Sequence, residues 1–468
     1  MNRSGLALGL AAAASLVLVG ERDAKACGGC FQPPPPPHQT ASDITDEKML
    51  LSVSPAQATL YDQIKYVGNP TSFAWVLPIH GTVDIGLSAD VLFASVDALT
   101  ATQIQAPTPN CAAPPSCSGG NASNFAGTTP PAADNGGVVV TKQQNVGPYE
   151  TVQLHSTVPS ALNSWLTQNG FAVPADTQSI IAQYVKEGFD FLAMKLLPGQ
   201  GVQAMRPVRV TTPGASLSLP LRMAAIGTGA TVGITIWVVS DGRYEPQNFP
   251  FFHIEDAELV WDWSTNASNY TTLRSQKEAA LNGRGWEIES SLSIAEQTIQ
   301  NVILSGGQYY QGGGGGAPLA DASQDYLPST NPDGSVETAD QVRTADVAAL
   351  FAGMAPPNVR VTRIRSDITH AAMTTDFVLQ AAKDQSEISN IRLVTQQTNL
   401  ECPIYGSDCS VLGYGPSDGT GSSNGGKGSA GCNVTSRSGS SNEIHVGLGA
   451  FAGLIGLVVV RLRRLRRG

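Results

Sequence analysis

The sequence predicts an α+β protein: a β-rich body on an antiparallel sheet with a few flanking helices, preceded by an N-terminal signal peptide and followed by a C-terminal transmembrane segment. Three observations carry this. Between residues 41 and 400, apolar stretches of strand length recur between turn signals, interrupted by a few windows of helical period. Arg3 precedes an apolar core at 6–19, and Ala24 and Ala26 stand where a signal peptidase reads small residues, so cleavage is expected before Cys27. A 15-residue apolar run at 446–460 is closed by Arg461, Arg463, Arg464, Arg466 and Arg467, whose guanidinium groups do not cross hydrocarbon and stay in the cytoplasm. The chain between the two signals is therefore expected to face outward.

The tail is short for a span. At about 1.5 Å per residue the run covers roughly 22 Å of a hydrocarbon core of about 30 Å. Leu462, Leu465 and snorkelling arginine stems lengthen it, while Gly447, Gly449, Gly453 and Gly456 keep it weakly hydrophobic. Transient holding fits such a segment; an ordinary single-pass anchor is the alternative. Gly449 and Gly453 also make a GxxxG helix-packing motif, a weak signal in so Gly-rich a run. At the other end, a lipoprotein signal at Cys27 is disfavoured, because Glu21, Arg22, Asp23 and Lys25 separate it from the apolar core.

Of 468 residues only 14% are charged, with 49 Gly and 30 Pro, which points to a loop-rich extracellular protein. The formal charge of −10 includes +1 from residues 1–26 and +5 from 433–468, so the exported body stands near −16. No basic patch or stripe offers a footing for nucleic acid. About 400 residues remain, enough for two or three domains' worth of core.

Seven cysteines fall into three close pairs, Cys27 with Cys30, Cys111 with Cys117 and Cys402 with Cys409, leaving Cys432 for the tail. Outside the cell, disulfides are favoured. Six cysteines allow 15 connectivities, and local pairing is the simplest. Cys27-Gly-Gly-Cys30 also admits a redox reading, which requires a helix N-terminus to lower the thiol pKa, whereas Pro33 to Pro37 impose an extended chain. A zinc site would bring Cys402 and Cys409 against that first pair.

Along the chain, a Cys/Pro-rich arm (27–40) leads into the body (41–400). Strands are expected at 50–61, 64–67 and 71–79, then a helix capped by Ser88 with Leu92, Val96 and Leu99 at helical spacing. Residues 105–137 form a Pro-rich loop. From 136 to 241 come strands at 138–142 and 149–155, helices at 160–168 and 177–187, and β-rich runs at 189–197, 206–212, 217–226 and 230–240, a succession expected to make one antiparallel sheet with helices to one side. A strand at 258–263, a helix at 269–281, a low-complexity loop at 306–334, a helix at 338–354 and strands at 360–364, 377–381 and 388–394 follow. The Cys402–Cys409 region and a Gly/Ser spacer (401–431) join the body to the tail (432–468).

Motifs for chemistry are weak. The GxSxG pattern at 421–425 lies in the spacer, not on a strand-to-helix elbow, and the glycines at 227, 229 and 233 lead into a strand rather than a helix. His253 and Glu255 would share one side of a strand, and His370 follows Asp367. Asp321, Asp325 and Asp333 lack calcium-ligand spacing. No cofactor and no catalytic residue is assigned.

Several motifs in order resemble one exported bacterial family: ACGG at 26–29, LFASVDALT at 92–100, GPYE at 147–150, SWLTQNGF at 164–171, YVKEG at 184–188 and the strand at 189–196. It is the domain-of-unknown-function family number 2330, and the similarity spans roughly 26–260 and, more loosely, 360–394. The resemblance implies export and a β-rich body and carries over no catalytic residue. The tail, with Cys432 after a Gly/Ser spacer, an apolar helix and an arginine cluster, resembles the sorting regions of myxobacterial surface proteins. That implies recognition by an intramembrane sorting protease, cleavage near Cys432 and lipidation there. The expectation is a protein displayed at the cell surface with a binding or structural role, processed by signal peptidase and the export machinery and associated with the membrane. The alternative is a secreted metal-dependent hydrolase assembling His155, His253, Glu255 and His370.

Overall fold

The computed structural model describes residues 29–31, 44–63, 74–111, 143–155, 159–173, 175–197, 204–306, 325–330, 334–355, 358–405 and 410–416. They build two principal sheets. The larger has eight strands in the spatial order Phe251–Phe252, Trp286–Ala295, Asn358–Thr369, Thr228–Ser240, Ile44–Val53, Gln57–Asp62, Val208–Pro213, Asp84–Leu87. Its pairs are antiparallel except two: Thr228–Ser240 runs parallel to Ile44–Val53, and Phe251–Phe252 parallel to Trp286–Ala295. The smaller sheet is antiparallel throughout, ordered Gly29–Phe31, Ala74–Ile79, Asp190–Leu196, Tyr149–Leu154, Gln143–Val146.

The alternation of side chains along a strand assigns the layers. On Ala74–Ile79 and Asp190–Leu196, Ala74, Val76, Phe191 and Ala193 pack with Leu162, Leu166, Ile181 and Tyr184 of the helices Pro159–Gln168 and Ala175–Lys186. The intervening Trp75, Leu77, Leu192 and Met194 join the main core instead. A strand buried on both faces reads as a continuous apolar run, as these do. The larger sheet faces the smaller one with the row Met49, Ile236 and Ile364, and Gly147 of the small sheet's turn lies against Leu87. Its opposite face carries the row Gly86, Arg209, Tyr61, Leu50, Trp237, Arg363 and Ser290, each the cross-strand partner of the next. Helices Asp90–Thr100 and Ala339–Leu350 cover that row. Phe93 meets Trp237 edge-on at 6.1 Å, and the Trp237 indole N–H donates to Thr100 Oγ1 at 2.9 Å. Burying side chains of this size contributes about 1.5–3 kcal/mol each.

Several expectations change. Two sheets replace the single one, because the 74–79 and 190–196 runs are apolar on both faces and need cover on each. Ser88 does not cap the first helix: its N-cap is Ala89, and the Ser88 hydroxyl donates inward to Asp346 Oδ2 at 2.6 Å. The run at 217–226 is a two-residue strand followed by a short helical turn, Leu221–Ala224. Part of the supposed low-complexity stretch 306–334 is packed, with Tyr326 buried, Asp325 accepting the Val91 N–H, and Ser329–Thr330 pairing with Val336–Glu337. The strand Trp286–Ala295 and helix Glu296–Leu304 were not anticipated. All described residues fall in one compact unit within 1–417. Among them no helix is long and apolar enough to cross a membrane. The leader at 1–26, the apolar run at 446–460, Cys432 and the five tail arginines lie outside the described residues.

Candidate functional site

The densest chemistry sits where strands Trp286–Ala295 and Asn358–Thr369 pair beneath the helix Tyr270–Ala280. Glu287 is the partner of Arg365, Ser290 of Arg363, and the register shifts between Ile288 and Ser290. The extra residue of this bulge, Glu289, brings a second carboxylate to the same face. Arg363 contacts both Glu289 and Asp97, joining strand to helix, and its guanidinium lies 5.1 Å from the centre of the Trp237 ring. From the covering helix, Arg274 reaches Asp367 at 3.0 Å and Glu289 at 3.6 Å, while Glu278 accepts the Asp367 backbone N–H at 2.9 Å. Arg365 bridges Asp367 at 3.1 Å and donates to Thr235 Oγ1 at 3.1 Å. Gly233 makes room for this crowd, because a Cβ there would stand 2.7 Å from Asp46 Oδ1 and 3.2 Å from Arg365 Nη2.

Six carboxylates (Asp46, Asp97, Glu278, Glu287, Glu289, Asp367) meet four arginines (Arg274, Arg363, Arg365, Arg392) in this layer. Burial resolves the excess negative charge by favouring protons. It raises Glu287 to about 7, reinforced by the neighbouring Glu289, and pushes Glu278 and Asp46 upward as well. Tyr270 donates to Glu287 Oε1 at 2.9 Å, while Glu287 Oε2 is buried without a hydrogen-bond partner. The layer thus locks helix to sheet and exchanges a proton near neutrality.

A smaller polar knot lies along the same face. Asp346, fully buried, accepts from Ser88, from the Tyr326 hydroxyl at 2.9 Å and from Arg209 at 3.3 Å, and burial raises it to about 6. On the face toward the smaller sheet stands Glu47, with both carboxylate oxygens buried and unpartnered. Its pKa is pushed well above the ordinary range by burial and then by Asp62.

The cysteines differ from local pairing. Cys111 is bonded to Cys402 across 291 residues of sequence, with their Cα atoms 5.3 Å apart. The pairing of Gln103–Gln105 with Ile391–Leu393 brings the two segments together, so neighbours in space replace neighbours in sequence. The backbone at Cys30 is an edge strand paired to Trp75, not a helix N-terminus. Cys27, Cys117 and Cys409 lie outside the described residues, as does the side chain of Cys30.

The histidines stand apart in the fold. His155, exposed at the end of Tyr149–Leu154, contacts Asp190. His253 donates from Nδ1 to the Ile288 carbonyl at 3.0 Å, and burial lowers its pKa. Glu255 closes the capping box of the turn Asp256–Glu258, and His370 opens another short turn, His370–Ala372. Among the described residues no group of three or more His, Cys, Asp or Glu is placed to hold a metal ion. Of the calcium candidates, Asp321 and Asp333 lie outside the described residues. The pattern at 421–425 does as well, and the glycines at 227–233 lead into Thr228–Ser240, a strand.

The signal for the ion layer is visible in retrospect. Glu287 and Glu289 on one strand, and Arg363, Arg365 and Asp367 on another, recur at period two.

No curated protein matches the chain. Among solved structures, the crystal structure of baculovirus P35 matches with 7% identity over 72% of this chain and 97% of that one, at a TM-score of 0.28, a likeness too low to support any argument. A family model matches residues 23–380, and the chain accordingly belongs to the family described as uncharacterized protein conserved in bacteria (DUF2330).

Proposed function

We propose that the protein is exported and displayed at the cell envelope, held by its tail, where its body serves a binding or structural role. The observation that carries this is the Cys111–Cys402 disulfide. A bond that closes most of the body forms and persists in an oxidising compartment and is rare in the cytosol. It accords with a leader ending before Cys27 and a tail whose arginines stop transfer. On this reading signal peptidase removes 1–26, an intramembrane protease acts near Cys432, and the processed chain carries a lipid on that cysteine. The strongly acidic body keeps it soluble and off anionic surfaces.

The test is to fractionate cells and identify the mature termini by mass, in the native chain and in Cys432→Ala. The reading expects a mature start at Cys27, envelope fractionation, and loss of tail processing in the variant. A full-length chain in the soluble cytoplasmic fraction sinks it. Stoichiometric zinc in the purified protein, lost on replacing His253 and His370, would shift the reading to a metal-dependent hydrolase.

A further inference from the structure

Nine large apolar side chains stand exposed among the described residues, and four of them lie on one hairpin. The strands Glu401–Tyr405 and Val411–Pro416 form a two-stranded sheet of their own, with Ile404 53%, Val411 48%, Leu412 71% and Tyr414 66% exposed. Val411–Pro416 lies inside what the sequence suggested was spacer. Tyr414 is the cross-strand partner of Pro403, and Leu412, next but one to it, is the extra residue where the register shifts between Gly413 and Val411, which leaves its side chain unpaired across the strands. Glu401 is the single charged residue among the hairpin's described positions. A two-stranded hairpin is marginal alone in water, and clustered exposed apolar groups mark a surface that something covers. This one is tied to the body through Cys402.

Position and chemistry select the cover. The apolar run begins at Val446, 30 residues beyond Pro416. Before processing, a Gly/Ser-rich chain of that length reaches about 30 Å on average, so a bilayer holding the run is within reach of the hairpin, and a lipid on Cys432 in the processed chain stands nearer in sequence still. Tyrosine with aliphatic neighbours suits the boundary between headgroups and acyl chains. Lacking lysine and arginine, the described hairpin would attach by apolar insertion rather than by attraction to anionic lipid.

We propose that the hairpin Glu401–Tyr405/Val411–Pro416 is a foot that rests in the membrane interface, seated by Leu412 and Tyr414. The inference rests on the reading of the tail as a membrane segment. To test it, the full chain is reconstituted in phosphatidylcholine vesicles with a photoreactive benzoyl-phenylalanine replacing Leu412, or Leu304, which is exposed on a helix of the body. Flotation reports anchoring and the mass of the adduct reports what the probe touches. The expected result is flotation of both chains and lipid adducts at 412 about tenfold above those at 304, reduced to that background by Tyr414→Asp with flotation retained. Flotation without lipid adducts at 412 overturns the foot and leaves the anchor standing. Adducts at 412 to a second copy of the chain overturn it in favour of self-association. Failure to float overturns the anchor and the foot with it.

Discussion

The centre of the eight-stranded sheet and the hairpin at 401–416 are held by opposite means. In the centre, Trp237 and its neighbours are sealed beneath helices, and Arg363 meets partners on both strand and helix. At the hairpin, apolar side chains face outward, and beyond the run of the chain itself one disulfide fixes the strands to the body. Each is therefore fitted to a different place. The buried layer is an ion-paired brace closed off from solvent, whereas the hairpin has surface to offer and depends on an oxidising environment for its cross-link to the body.

The largest effect should come from breaking the brace. Arg363→Ala leaves Glu289 and Asp97 without their shared guanidinium, and denaturant unfolding should show a loss of about 3–5 kcal/mol. A loss below about 1 kcal/mol would mean that the layer is decoration. Next is the tether: Cys402→Ser releases a 291-residue loop constraint, and the same measurement should fall by about 2–4 kcal/mol, with proteolysis directed to the hairpin.

The third effect is pH-dependent. Glu287 has a folded pKa of about 7, above its ordinary value, so its contribution to stability is complete below the ordinary carboxyl range and is lost as pH rises through 7. The spread is on the order of 3 kcal/mol. Glu287→Gln keeps an acceptor for Tyr270 and removes the titration. Thermal melts should find it within about 1 kcal/mol of the native chain at pH 5 and more stable at pH 8 by about 1–3 kcal/mol; equal melts at both pH values would show that Glu287 titrates normally. The smallest effect belongs to the hairpin, where Leu412→Ala should change the stability of the body, measured without a bilayer, by less than about 0.5 kcal/mol, because the body does not bury that side chain.

What the sequence discloses follows the range of the forces involved. The helices Pro159–Gln168 and Ala175–Lys186 and the strand Phe377–Ala381 lie within a residue or two of expectation, since period and stop signals are local. Asn282 and Gly283, both at positive φ, close the turn after the helix Tyr270–Ala280, a local stop that this residue pair favours. Partnership was not legible. The parallel pairing of Ile44–Val53 with Thr228–Ser240 joins segments nearly two hundred residues apart. Alternating charge on Asn358–Thr369 looks like a wet face until helices cover it. Ser88 has the chemistry of a cap, but the buried Asp346 claims its hydroxyl. Cys111 found Cys402 rather than Cys117 because pairing depends on distance in space.

The most direct test of outward display is the state of the tether in living cells. Thiols are trapped by acid quench and alkylation, and the peptides containing Cys111 and Cys402 are sought by mass without reduction. They should be linked in the processed chain and free in any precursor that retains residues 1–26. Alkylated Cys111 and Cys402 in the mature protein would contradict it.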